Sequence, residues 1–170
     1  MKFLMNSIDF KIRDCERGDL DTICRIEKIC HGSVEALGRI AFTQYFDLFA
    51  SAFVLAEAAS QVIGFAVGGM VLGPQVRVAW LLDVATIPAF EGHGVGHIMS
   101  QCVIDKLIRE GSERIQATVS PQNDRSSRML TKLGFRIIDD IPDYFGCDQR
   151  RFLVELRHEG VKQSAIPVLS

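Results

Sequence analysis

Apolar and polar side chains alternate over residues 8–13, the period-two pattern of a strand with one buried face. After Gly18 and Asp19, the residues Leu20, Ile23, Ile26 and Cys30 recur at helical spacing. Ser33 is placed to cap a second helix carrying Leu37, Ile40, Ala41 and Phe46. Two β-rich runs follow, 52–56 and 62–71, and Ala58-Ala59-Ser60-Gln61 between them reads as a hairpin turn. A Gly73-Pro74 break leads into a further strand over 76–86.

Beyond Pro88 the chain passes through Gly92, Gly94 and Gly96 into a strongly amphipathic helix. Its apolar residues Val95, Ile98, Met99, Cys102, Val103 and Leu107 lie on one face, and Gly111 is placed to end it. A strand over 115–119, a helix over 124–133 and strands over 135–138 and 152–156 complete the pattern. The order βααβββαβαββ predicts a single mixed α/β (α+β) domain over 1–157, with helices packed on one sheet and a patternless tail over 158–170.

The bulk properties narrow the function. The chain has 170 residues, 48% hydrophobic and 24% charged, enough for one well-buried core. A net charge of −2 gives no electrostatic footprint for nucleic acid or an anionic membrane. Apolar runs fall far short of the ~20 residues of a membrane span, and the first residues lack the apolar stretch of a signal peptide. A cytoplasmic location is the expectation. Cys15, Cys24, Cys30, Cys102 and Cys147 are odd in number and have no C-x-x-C spacing, so neither a disulfide framework nor a metal site is expected. Cys30 beside His31 is not read as a nucleophile and base, because sequence neighbours rarely face each other.

The most informative stretch is Asp83-Val84-Ala85-Thr86-Ile87-Pro88-Ala89-Phe90-Glu91-Gly92-His93-Gly94-Val95-Gly96. A strand enters a loop with glycines at alternate positions, and the loop opens a long helix. Glycine lets backbone approach a ligand closely, and a helix start offers unpaired N–H groups and a positive dipole end, which together suit a diphosphate. The alternative is a tight turn with close helix–sheet packing. The glycine spacing is not that of a dinucleotide fold, and no Gly-Lys-Ser/Thr follows to make a nucleotide P-loop.

Pro88, Gly94, Val95 and Gly96 resemble the signature of the GNAT superfamily of acetyl-coenzyme A dependent N-acetyltransferases, Q/R-x-x-G-x-G/A after a strand and a proline. The likeness extends over residues 8–157. It implies a mainly antiparallel seven-stranded sheet flanked by about four helices, acting as a monomer or homodimer. It also implies that the backbone at Gly92, His93, Gly94, Val95 and Gly96 holds the coenzyme diphosphate, while Val84, Ala85 and Thr86 pair with the pantetheine arm. Glu91 departs from the motif, placing an acid beside two phosphates or pointing into solvent. Asn123, Leu133, Gly134 and Phe135 match a second family segment, with Asn123 capping a helix and touching the coenzyme.

The family's usual tyrosine acid falls on Leu130, so the proton donor to the departing thiolate must come from elsewhere. Tyr144, in the loop Pro142-Asp143-Tyr144-Phe145-Gly146, is the candidate, or else an aromatic lid. Thr118 replaces a carboxylate of the peptide-acetylating branch, to which Tyr144-Phe145 otherwise bears some resemblance. Asp83 is the carboxylate placed to attract an ammonium and accept its proton; its alternative is a backbone bond or the solvated face. His31, Glu35 and Tyr45 belong to the helix pair that covers the acceptor cleft in the family, and the alternative for each is ordinary surface or core. The expected reaction is direct transfer of acetyl from acetyl-coenzyme A to a small primary amine. A peptide N-terminus is the alternative acceptor, and a non-catalytic acyl-coenzyme A sensor the alternative class.

Overall fold

Strand β2 (Phe53–Ala58) is apolar at nearly every position because helices cover both faces of the sheet it belongs to. The computed structural model describes residues 8–72 and 77–158, and the side chains at 34, 35, 71 and 72 fall outside that description. The other strands are β1 (Lys11–Asp14), β3 (Gln61–Leu72), β4 (Arg77–Thr86), β5 (Arg114–Val119), β6 (Arg136–Ile141) and β7 (Arg151–Arg157). The helices are α1 (Leu20–Glu35), α2 (Arg39–Phe49), α3 (Val95–Arg109) and α4 (Asp124–Lys132).

One seven-stranded sheet runs β1-β2-β3-β4-β5-β7-β6, antiparallel throughout except where β4 lies parallel to β5. The expected element order and mixed sheet are both observed. Phe53, Leu55, Phe65 and Val67 join Leu20, Ile23 and Ile26 of α1 and Phe42 of α2 in one core. Phe42 and Phe65 meet edge to face at 5.3 Å, a contact worth about 0.5–1.5 kcal/mol beyond area burial. Val54, Ala56 and Ala66 face the other way, into a core with Met99, Val103 and Leu107 of α3 and Leu130 of α4.

Several boundaries move for identifiable reasons. The first strand begins at Lys11 rather than residue 8, while Ile8 and Phe10 still pack against the core. Ser33 does not cap the second helix. Gly32, at φ 73° and ψ 167°, breaks α1 first, and α2 starts after Gly38. The hairpin turn is as expected: Ala59 and Ser60 both take positive φ, the backbone of a tight two-residue turn. Gly111 and Gly134 also take positive φ just past α3 and α4. The Gly73-Pro74 break, Val76 and the tail beyond 158 lie outside the described residues.

Two irregularities position the site. First, β4 and β5 pair only at Val78–Arg114, Ala79–Ile115 and Trp80–Gln116. Beyond those residues the strands part and leave a cleft. Second, β3 pairs Val67 with Asp83 but Gly68 with Leu81, so Leu82 is an extra residue in β4. The bulge reverses the strand's alternation. Ala79 and Leu81 face α3, whereas Ala85, two places beyond Asp83, faces α1 and α2.

Candidate active site

The cleft between the parted strands encloses about 1080 Å³. Val84, Ala85 and Thr86 form one wall, the loop at Glu91, Gly92 and Gly94 with the start of α3 at Val95 and Gly96 forms the floor, and Asn123 with α4 forms the other wall. Gly92 and Gly94 sit at φ 80° and 82°, a region that side chains rarely occupy, which is why this turn into α3 uses glycine. A Cβ on Gly96 would lie 3.5 Å from both Thr86 Oγ1 and Met129 Sδ, in ordinary contact with β4 and α4 where they face each other. The first N–H groups of α3 have no partner within the helix and meet the cleft.

Most of the expected cofactor residues therefore converge on one cavity. His93 is the exception: its side chain is exposed, lies outside the cleft lining, and donates from Nδ1 to the Glu91 carbonyl at 3.0 Å. Glu91 does not simply point into solvent, because its carboxylate is ion-paired to Arg125 at the start of α4. Asn123 caps α4, its Oδ1 accepting from Ser126 N–H at 3.0 Å, and also lines the cleft. Arg125, Arg128 and Lys132 line the α4 wall and place positive charge there. Sequence reasoning missed these three, although they recur at helical spacing on one face of α4.

The opposite side of β4 carries the titratable groups. Asp83 faces α1, and its carboxylate lies near Glu27 and His31, with one donor atom of each within 4.8 Å of the others. Asp83 Oδ2 and Glu27 Oε2 are sealed from solvent and accept no hydrogen bond. Glu27 Oε1 accepts from Leu37 N–H at 3.1 Å, and His31 Nε2 stands 3.6 Å from Glu27 Oε2. Burial, then the Glu27 charge, pushes the Asp83 carboxyl up to about 8, against the pull of the Val84 N–H. Burial likewise raises the Glu27 pKa, opposed by the Leu37 bond and by His31. Tyr45 of α2 is raised by burial and by the same two carboxylates.

Glu27 was also missed, yet it occupies a position on the α1 stripe of Leu20 and Ile23, where an acid would not ordinarily be buried. The Glu35 side chain falls outside the description. Cys30 lines the cleft beside His31, but its Sγ donates to the Thr86 carbonyl at 3.3 Å, and burial raises the thiol pKa. That environment disfavours a thiolate nucleophile. Tyr144 is half-buried in the β6–β7 connection, packs edge to face on Phe145 at 4.7 Å, and does not line the cleft. Leu130 is buried in the α3-side core.

Comparison with known proteins agrees with this geometry. Residues 20–135 match the model of the acetyltransferase (GNAT) family. The L-2,4-diaminobutyric acid acetyltransferase of Nocardia farcinica (strain IFM 10152) is 26% identical over 126 residues, 74% of this chain. The match spans 64% of that relative's length. Among solved structures, Ard1 from Thermoplasma volcanium superposes with a TM-score of 0.78 at 20% identity, covering 88% of this chain and 98% of that one. The ribosomal-protein-S18-alanine N-acetyltransferase from Escherichia coli gives 0.78 at 18% identity, covering 94% and 100%. Arabidopsis thaliana Naa50, in complex with the bisubstrate analogue CoA-Ac-MVNAL, gives 0.74 at 14% identity, covering 89% and 100%. At such identities these structures speak for the fold alone. The family model adds the sequence pattern of the strand, glycine loop and helix that build the cleft, and by that match the chain belongs to the GNAT acetyltransferase family.

Proposed function

We propose that the protein transfers the acetyl group of acetyl-coenzyme A to a primary amine, with a small-molecule amine as acceptor. The carrying observation is the cleft where β4 and β5 part, with the glycine-opened start of α3 at its floor. In this reading the N–H groups at residues 92–96 hold the diphosphate, and the cationic α4 wall complements its charge. The edge of β4 at Val84, Ala85 and Thr86, unpaired on the β5 side, takes the pantetheine arm as an added strand. The acetyl group then lies beside the bulge, and rate enhancement comes mainly from positioning and from backbone dipoles on the thioester oxygen.

Asp83 attracts the ammonium and accepts its proton, so that the neutral amine attacks the thioester carbon. Tyr144, held in the β6–β7 connection outside the cleft lining, is in this reading the proton donor to the departing thiolate. The diaminobutyric acid acetyltransferase relative favours a small amine over a peptide N-terminus. Among the described residues, no helix is long and apolar enough to cross a membrane. We place the reaction in the cytoplasm, where acetyl-coenzyme A is available. Calorimetry with acetyl-coenzyme A, followed by a free-thiol assay over small amines and peptide N-termini, tests this reading. Saturable binding with no turnover on any acceptor would make the protein an acyl-coenzyme A sensor instead.

A further inference from the structure

Glu27 is 2% exposed, and its Oε2 is sealed from solvent without a hydrogen-bond donor. Asp83 Oδ2 is in the same condition a few ångströms away on the facing strand. Two ionised carboxylates cannot both be held in such a place without a cation or a proton between them. The groups that face the pair are known from each element packed on it: His31 and Cys30 from α1, Tyr45 from α2, and the Val84 N–H from β4. Among the described residues, His31 is the only basic side chain within ion-pair distance of either carboxylate, and it is also part-exposed and lines the cleft.

We propose that Glu27 and Asp83 form one carboxyl pair that holds a single proton between them and takes up the proton of the acceptor ammonium, with His31 as its outlet to water. This rests on the amine-acetylation reading above. A pair with one proton carries one negative charge, which matches an incoming ammonium. With the shared proton on Glu27, the ammonium N–H proton passes to Asp83, and the pair becomes neutral and so does the amine. No net charge is created in a dry site. The nitrogen lone pair then forms the C–N bond to the thioester carbon, and the C–S bond breaks with its electrons on sulfur. The second nitrogen proton replaces the one that Tyr144 gives to sulfur, and the products are coenzyme A thiol and the acetamide. The pair returns one proton through Glu27 and His31, whose two ring nitrogens can accept and release it in turn. Glu27 acts through Asp83 and is a positioning residue.

Carbon-13 titration of the aspartate and glutamate carboxyls in the ligand-free full chain tests the pair without any need for turnover. We expect two coupled steps, with one well above the ordinary carboxylate range. Glu27→Gln keeps an oxygen for the Leu37 N–H, and it should lower the Asp83 step by about one pH unit or more, the scale at which coupled sites interact. The acid limb of kcat/KM should move down by the same amount. Should Glu27→Gln fail to fold, Asp83→Asn gives the reciprocal readout, a fall in the Glu27 step. His31→Ala, at a part-exposed position, should slow turnover, with recovery on adding imidazole. Independent titration of both carboxyls in the ordinary range, with turnover intact, overturns the pair alone. Coupled titration with no turnover on any amine overturns the proton-uptake role together with the acetylation reading. A stoichiometric divalent ion, retained by the wild type and lost in Glu27→Gln, would replace the proton by a metal and overturn the proposal.

Discussion

Arg125, in the first turn of α4, is ion-paired to Glu91, in the loop that leads into α3, so the two sides of the cleft are joined at its mouth. The acid that departs from the family's glycine motif is thereby neutralised by a cation from the opposite wall. Both side chains are partly exposed, 64% and 33%, so the pair itself adds only about 0–1 kcal/mol of stability. Its larger effect falls on the ligand. Glu91→Gln should tighten coenzyme A binding several-fold by calorimetry, because Arg125 is freed for the phosphates. Arg125→Ala should weaken it several-fold, leaving Glu91 unpaired beside them. Both differences should shrink as salt is raised. Equal affinities at low salt would place the diphosphate elsewhere.

Gly94 gives the sharper test of the phosphate loop. Its φ of 82° strains any side chain, at a cost of about 1–2 kcal/mol, and nothing lies within 4 Å of a Cβ built there. Gly94→Ala and Gly94→Asp share that strain, and only the second adds charge. Gly94→Asp should therefore bind acetyl-coenzyme A roughly tenfold more weakly than Gly94→Ala, the equivalent of about 1.4 kcal/mol of repulsion. Matching dissociation constants for the two folded variants would remove the diphosphate from this turn.

The buried position of Asp83 predicts an unusual pH dependence of stability. Its pKa rises from 3.8 to about 8 on folding, so the folded chain holds this proton more tightly than the unfolded one. The stability it contributes is fully present below the unfolded value and is lost as pH rises through the folded value. Asp83→Asn, which never ionises, should gain thermal stability relative to the wild type as pH is raised from 4 to 8. Melting temperatures that run parallel over this window would show that the carboxyl is not sealed. The same substitution should lower kcat/KM for the amine while leaving coenzyme affinity unchanged.

Tyr144 is tested by separating its hydroxyl from its ring. Tyr144→Phe should lower kcat and leave the acceptor KM nearly unchanged. If Tyr144→Phe is silent and Tyr144→Ala raises KM, the ring covers the acceptor and gives no proton.

The parts of this protein that were legible in its sequence are those set by neighbours along the chain. The α3 stripe, the Ala59-Ser60 turn, the glycine entry to α3 and the Asn123 cap each depend on a few consecutive residues, and each stands where it was expected. Ser33 misled because it lies within α1, just past the kink at Gly32, while α2 starts only after Gly38. The contact of Glu27 with Asp83 joins a helix to a distant strand, and no local pattern encodes it, although an acid on the apolar stripe of α1 was a visible sign. The Glu91–Arg125 pair likewise exists only once the loop and α4 are set across the cleft. Tyr144, expected as the acid or a lid, is held by the β6–β7 connection outside the cleft lining, a placement that no local pattern encodes.

The extra residue at Leu82 has a consequence for how such a protein can change. It puts the strand out of phase with itself, so that Asp83 and Ala85 answer to α1 and α2, while Val84 belongs to the α3 side. Mutations in the first two helices can then remodel the surroundings of Asp83 without touching the edge and helix start that define the coenzyme side. Pairing Leu82 in regular register, without the bulge, would exchange the two neighbourhoods in one step, turning a carboxylate toward α3 and Val84 toward the helix pair. A single inserted position thus lets one strand serve two selective pressures independently.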